Sequence, residues 1–224
     1  MRTKGKALLV VLCVASVLIA SAFGTMAYLT DDTGMTNTFT VGSVEITLDE
    51  AKVDEYGVKD GDFRIATGNT YKLIPGRTYT KDPTVHVTKG SEPCWLFVKV
   101  VNNIASVEID PETPTETKIA SQMTANGWTA LDGKANVYWH EVVDAREDQR
   151  DVKIFESFTV DGDGVTKDTL AGLLSTFEDN NPLTEATGNA VIVTAYAVQA
   201  DGFDSANTDA ENAKAAWDAA GFES

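Results

Sequence analysis

The sequence predicts an all-β protein, an antiparallel β-sandwich carrying two or three short inserted or terminal helices. Three observations lead there. Short runs of alternating or continuous apolar residues recur along the chain. Gly- and Pro-containing turns such as Pro75-Gly76, Asp132-Gly133 and Asp161-Gly-Asp-Gly164 separate them. Helical spacing of apolar residues appears in only a few brief stretches. No internal repeat and no low-complexity segment interrupts the pattern.

The first 27 residues stand apart. Arg2, Lys4 and Lys6 precede an apolar run from Ala7 to Phe23, and Thr25 and Ala27 lie at −3 and −1 of a cut between Ala27 and Tyr28. A basic start, an apolar middle and small residues at a cleavage point describe a secretory signal peptide. Ala20-Ser21-Ala22 offers a second cut, and the rival reading is an uncleaved anchor. A run of about 17 residues is short for a bilayer span. Membrane contact is therefore expected only through the uncleaved segment. Cleavage removes three cations and no carboxylate, so the formal charge of −16 becomes more negative. Such a surface repels nucleic acid and anionic lipid and excludes them as partners.

Residues 28–43 read as an arm leading into a first strand. Tyr28 to Thr36 is polar, with Gly34 inside. Phe39 and Val41 alternate in one phase, and Val44, Ile46 and Leu48 in the other. One regular strand cannot hold both sets on one face, so a bend or bulge is expected at Gly42. The sandwich proper is placed at 44–224.

Within it, the acidic, Gly-punctuated residues 49–69 read as loop. Tyr71 to Ile74, Thr78 to Thr80 and Thr84 to Thr88 read as strands, with Pro83 marking an edge or a bulge. Cys94 to Val101 is apolar at both parities, the pattern of a strand buried on both faces. Residues 105–118 form a surface excursion. Ile119, Ala120 and Met123 suggest a short helix stopped at Gly127. Trp128 to Leu131, Asn136 to Val143 and Val152 to Val160 read as strands. Leu170, Leu173, Leu174 and Phe177 share a helical face behind Thr166 as N-cap. Ala190 to Ala200 reads as a long strand. Thr208 and Glu211 form a capping box for a last helix stopped by Gly221.

Chemistry is sparse. His140-Glu141 begins like the H-E-x-x-H zinc motif, but Asp144 stands where the second histidine belongs. A zinc site from His86, His140 and a carboxylate would need three ligands to converge. Asp161 to Asp168 lacks the ligands of a calcium loop. No cofactor is expected, and weak Ca binding by the acidic loops stays open. There is no G-x-S-x-G and no phosphate-cradling glycine loop. Cys94, alone once Cys13 is cleaved away, reads as a buried hydrophobe. Intermolecular pairing is its alternative. No catalytic, cofactor-binding or metal-ligating residue emerges, and an enzyme is not expected.

Gly24-Thr-Met-Ala-Tyr-Leu-Thr-Asp31 and Asn37-Thr-Phe-Thr-Val-Gly-Ser-Val-Glu-Ile46 resemble the opening of TasA/camelysin-type secreted proteins, whose signal peptide is removed by a SipW-type signal peptidase. The resemblance continues in Pro75-Gly-Arg-Thr78, Asp82-Pro-Thr-Val85, Cys94-Trp-Leu-Phe-Val-Lys-Val100 and Ala195-Tyr-Ala-Val-Gln-Ala-Asp-Gly-Phe203. It implies a jelly-roll-like sandwich, export from a Gram-positive-type cell, and assembly into biofilm-matrix or surface fibres. In fibre-forming members an N-terminal segment of one subunit is taken up as a strand by the next. Some members are described as casein-cleaving metallopeptidases, an activity that no matched position here supports.

The expectation is thus a secreted structural protein of the extracellular matrix or cell surface. Its partners would be itself or a related matrix subunit, with signal peptidase met during export. Tyr28 to Val41 would be the donated segment, anchored by Met35, Phe39 and Val41. A monomeric surface or binding module and a camelysin-like metallopeptidase are the alternatives. No L-P-x-T-G sorting motif closes the chain at Phe222-Glu-Ser224, so covalent wall attachment is not expected.

Overall fold

In the computed structural model, residues 44–109, 118–174, 191–203 and 206–222 are described, all within the compact unit Asp32–Ser224. Among the described residues, ten strands and three helices follow in the order β1 (Ile46–Val53), β2 (Lys59–Ile65), β3 (Thr78–Thr80), β4 (Thr84–Val87), β5 (Cys94–Asn102), α1 (Ile119–Ala125), β6 (Thr129–Ala130), β7 (Val137–Val143), β8 (Arg150–Lys153), β9 (Ser157–Thr159), α2 (Lys167–Leu174), β10 (Val191–Gln199) and α3 (Asp209–Ala220). Two four-stranded sheets, ordered β2-β1-β4-β8 and β10-β5-β7-β6, are accompanied by the pair β3-β9. The strand pairings are antiparallel. The fold is the all-β sandwich that the alternating patterns predict.

The main core lies between the sheets. Ile46, Leu48, Val85 and Val87 from the first pack with Leu96, Val98, Val100, Val193, Ala195 and Ala197 from the second. The phase of β1 follows directly: Ile46, Leu48 and Glu50 point inward, while Thr47 and Asp49 point out. Strand β5 is buried on both faces, as its composition predicts. Its even-numbered residues face the main core, whereas Trp95 and Phe97 face a second apolar layer with Val137, Trp139, Ala213, Ala216 and Trp217. That layer is roofed by α3. Thr208 and Glu211 form the expected capping box, and Gly221 ends the helix in the left-handed conformation at φ 69°.

Several expectations need correction. Residues 49–69 are not loop throughout: β1 runs on to Val53, and Lys59–Ile65 forms β2. Their charges pair across strands (Arg64 with Asp49, Lys52 with Asp60), which makes an acidic segment viable in a sheet. Tyr71 to Ile74 is not a strand. Side-chain bonds replace the ladder: the Tyr79 hydroxyl accepts from Ile74 N at 2.7 Å and donates to Lys72 O at 2.6 Å, and Tyr71 donates to Thr80 O at 2.9 Å.

Val152 to Val160 divides into β8 and β9, which belong to different sheets. The crossing is held by side chains of and after α1. Gln122 accepts from Glu156 N and Ser157 N, Asn126 donates to Ile154 O, and the Trp128 indole donates to Lys153 O. Gln122 is accordingly buried on the helix where Ala120 was expected, and Ala120 is exposed. Pro83 marks neither an edge nor a bulge in β4, which lies between β1 and β8. The proline precedes the strand, so its missing N–H falls outside the ladder, while its carbonyl accepts from Ile154 N. In α2, Leu170 is buried and Thr166 caps through Thr169 N, as expected; Phe177 lies outside the described residues.

Candidate functional site: sheet edges and a charged face

The expected cleavage residues Ala27 and Tyr28, and the expected anchors Met35, Phe39 and Val41, lie outside the described residues, as does the bend at Gly42. What the structure does show is their point of attachment. Val44 is buried, Glu45 O accepts from Thr88 N at 2.9 Å, and Glu45 N donates to Ser91 Oγ at 3.1 Å. Val44 and Glu45 therefore enter the sandwich at a fixed position beside the turn that links β4 to β5.

The sheet edges differ sharply in character. Strand β2 is exposed along most of its length, carries Lys59, Asp60, Asp62 and Arg64, and pairs with β1 through a register shift. Gly61 within it has φ +64°, which turns the strand away from regular pleating. Strand β8 has four residues, three of them charged, and β6 has two. Short length, charge and irregularity are the means by which proteins prevent stray strand pairing. Strand β10 has none of them. It is nine residues long, Val191-Ile-Val-Thr-Ala-Tyr-Ala-Val-Gln199, uncharged and paired along its length with β5, and Tyr196 and Ala197 within it have further partners.

The outer face of the first sheet carries a row of alternating charge across all four strands. Asp151 on β8 meets His86 Nδ1 at 2.7 Å, and Asp49 on β1 meets His86 Nε2 at 2.8 Å. Arg64 on β2 donates to Asp49 Oδ1 at 2.6 Å, and to Asp82 Oδ2 and Thr84 Oγ1 at 3.2 and 3.1 Å. Burial alone would lower the His86 pKa, but its bonds to Asp49 and Asp151 outweigh that and hold it above the ordinary value. The same contact, helped by Gln149, holds the Asp151 carboxyl below its usual range. With a carboxylate on each ring nitrogen, His86 has no lone pair left for a metal or a substrate proton.

His140 sits on the other sheet, in β7. Its Nδ1 lies 3.0 Å from Glu141 O, its ring is edge-on to Trp128, and Nε2 abuts Gly127, where a Cβ would approach to 3.0 Å. The structure does not bring His86 and His140 together. Among the described residues, no three His, Cys, Asp or Glu side chains converge as a metal site. In the Asp161 turn, the carboxylate accepts from Asp163 N and Gly164 N and so closes its own loop. Cys94 is fully buried and free, and burial pushes its thiol up to about 12, the direction opposite to an activated nucleophile.

One cluster went unread in the sequence. Glu50 is fully buried; its Oε2 takes a bond from Lys81 Nζ at 2.6 Å, and its Oε1 takes bonds from Asn69 N and Nδ2 at 2.9 and 2.8 Å. The signal was available, because Glu50 continues the inward phase of Ile46 and Leu48. A carboxylate at that position must find partners or go unsatisfied. No protein-family model, no curated protein and no solved structure matches the chain.

Proposed function

We propose that this chain is a secreted structural protein, a subunit of extracellular fibres of a biofilm matrix or cell surface. In this reading signal cleavage after Ala27 frees Tyr28 to Val41, and a neighbouring subunit takes that segment as an added strand. Met35, Phe39 and Val41 would seat in it. The supporting observation is the character of β10, long, regular and uncharged, beside β2, β8 and β6, which are short, charged or irregular. A strand of that kind suits main-chain pairing with an extended segment, which supplies affinity through hydrogen bonds and specificity through alternate side chains. The arm joins the core at Val44, so its length bounds its reach to roughly 50 Å at about 3.3 Å per residue.

The test is electron microscopy of protein purified with its authentic N-terminus, established by mass spectrometry. Fibres are expected from the processed protein, and a chain beginning at Val44 should give none. An excess of a synthetic peptide spanning residues 28–43 should stop elongation by occupying the acceptor edge. Equal fibre formation by the chain beginning at Val44 would overturn the reading. Monodisperse scattering from the processed protein at high concentration would favour the monomeric module instead.

A further inference from the structure

We propose that Lys81, Glu50 and Asn69 form an intramolecular amide-forming site, in which the Lys81 amine displaces ammonia from the Asn69 carboxamide and leaves a side-chain isopeptide bond. The three parts of such a reaction are a nucleophilic amine, a carboxamide, and a carboxyl group that carries protons between them. Here one carboxylate holds both reactants. Lys81 Nζ lies 2.6 Å from Glu50 Oε2, and Asn69 Nδ2 lies 2.8 Å from Glu50 Oε1. The backbone N–H of Asn69 donates to the same Oε1 at 2.9 Å and fixes the asparagine over the carboxylate. Asn69 Oδ1, where charge would develop as the amine adds, accepts from Val53 N–H at 2.9 Å. A backbone donor at that position stabilises the tetrahedral intermediate.

The surroundings suit the chemistry. Glu50 has no exposed surface, and Lys81 is 8% exposed. The Tyr71 ring packs edge-on against Tyr79 and Phe158, and its hydroxyl donates to Thr80 O, next to Lys81, at 2.9 Å. Burial of Glu50 and Lys81 strengthens the polar contacts between them and holds the amine in register, while the half-buried Asn69 leaves the departing ammonia a way out to solvent. Gly68, at φ +74° and beside Glu50, lets the chain turn so that Asn69 reaches over β1.

The steps balance without a metal, an oxidant or a second substrate. A proton passes from the Lys81 ammonium to Glu50 Oε2, and the neutral amine bonds to Asn69 Cγ. The carbonyl electron pair moves onto Oδ1. Glu50 returns its proton to Nδ2 and the Cγ–Nδ2 bond breaks. Ammonia leaves with the surplus proton of Nζ as ammonium. One ammonium and one amide enter, and one amide and one ammonium emerge. Glu50 is regenerated as the carboxylate and remains hydrogen-bonded to the new N–H. The product closes a ring through residues 69–81, which carry the Tyr71 and Tyr79 anchors.

Mass spectrometry of the purified, folded protein decides the matter. The wild-type chain should be lighter than its processed sequence mass by one ammonia. A tryptic digest should contain the peptide with Asn69 joined to the one with Lys81, with no cleavage after Lys81. Lys81→Arg and Glu50→Gln should each have the full sequence mass, and Asn69→Asp should lose one water in place of ammonia. If Glu50→Gln does not fold by circular dichroism, the wild-type peptide map alone carries the test. A folded wild-type chain at full sequence mass, cut normally at Lys81 after denaturation, overturns the proposal. The three side chains would then be a non-covalent buried ion pair that ties Gly68-Asn69 to the irregular part of β1.

Discussion

Replacing Trp217 separates two effects that the layer beneath α3 combines. Its ring is fully buried, 5.4 Å from Phe97, 5.3 Å from Tyr196 and 5.1 Å from Phe222 between centroids, yet its Nε1 has no hydrogen-bond partner among the described residues. Trp217→Ala removes the whole ring and should cost about 3–5 kcal/mol, the range for deleting a buried aromatic. Trp217→Phe keeps one ring in contact. It gives up apolar area worth roughly 1–2 kcal/mol at about 25 cal/mol per Å². It also removes an orphaned donor whose burial costs about 1–3 kcal/mol. The phenylalanine variant should therefore lie within about 1 kcal/mol of wild type. Urea unfolding followed by far-ultraviolet circular dichroism measures both changes. Equal losses from the two variants would refute the reasoning, since they would mean that the indole N–H is satisfied in solution or that the aromatic contacts carry little.

Other predictions follow from the same geometry. His86→Gln should destabilise the protein by roughly 1 kcal/mol, discounted because Asp151 is more than half exposed. The folded pKa of His86 is raised, so this stabilisation is complete below the unfolded value of about 6.5 and is lost as pH rises through the folded pKa. The depressed Asp151 acts in the opposite sense, its share failing as pH drops below about 4. The wild-type to variant difference in urea midpoint should thus be greatest in mildly acidic buffer, and a difference that grows above pH 8 would contradict the assignment.

Gly57→Ala should cost about 2–4 kcal/mol, because a Cβ at φ +78° would lie 2.8 Å from Tyr79 Cα. Gly90→Ala, with open space around it, should lose only about 1–2 kcal/mol in thermal melts. Cys94 should resist alkylation by iodoacetamide at pH 8 in the folded protein and react fully in urea, as read by intact mass.

What could be read from the sequence was what apolar periodicity and capping chemistry specify. The two-faced burial of β5, the capping box of α3 and the inward phase of Val44, Ile46 and Leu48 are local patterns, and each is found in the structure. The misread elements depend on partners far away in sequence. Strand β2 looks like loop until Arg64 is seen against Asp49 and Asp82. Tyr71 to Ile74 looks like strand until the Tyr79 hydroxyl is seen to take its hydrogen bonds. Nor does any local pattern place Asn69 and Lys81 on one carboxylate. The arm at 28–43 has a readable composition, but its expected partner is another chain, beyond what the periodicity of one sequence can specify.

The position of β5 also constrains the order in which the fold can close. Its neighbours in the sheet are β7 on one side and β10 on the other, where Cys94 pairs with Gln199. Its outward face is roofed by α3 through Ala213, Ala216 and Trp217. A growing chain thus holds its most apolar strand open on one edge and one face until residues near the far end of the sequence arrive. Pairing across such separations carries loop-closure entropy before any contact compensates it, which slows folding and exposes aggregation-prone surface. A chain truncated before Val191 should therefore be an aggregating species rather than a smaller domain.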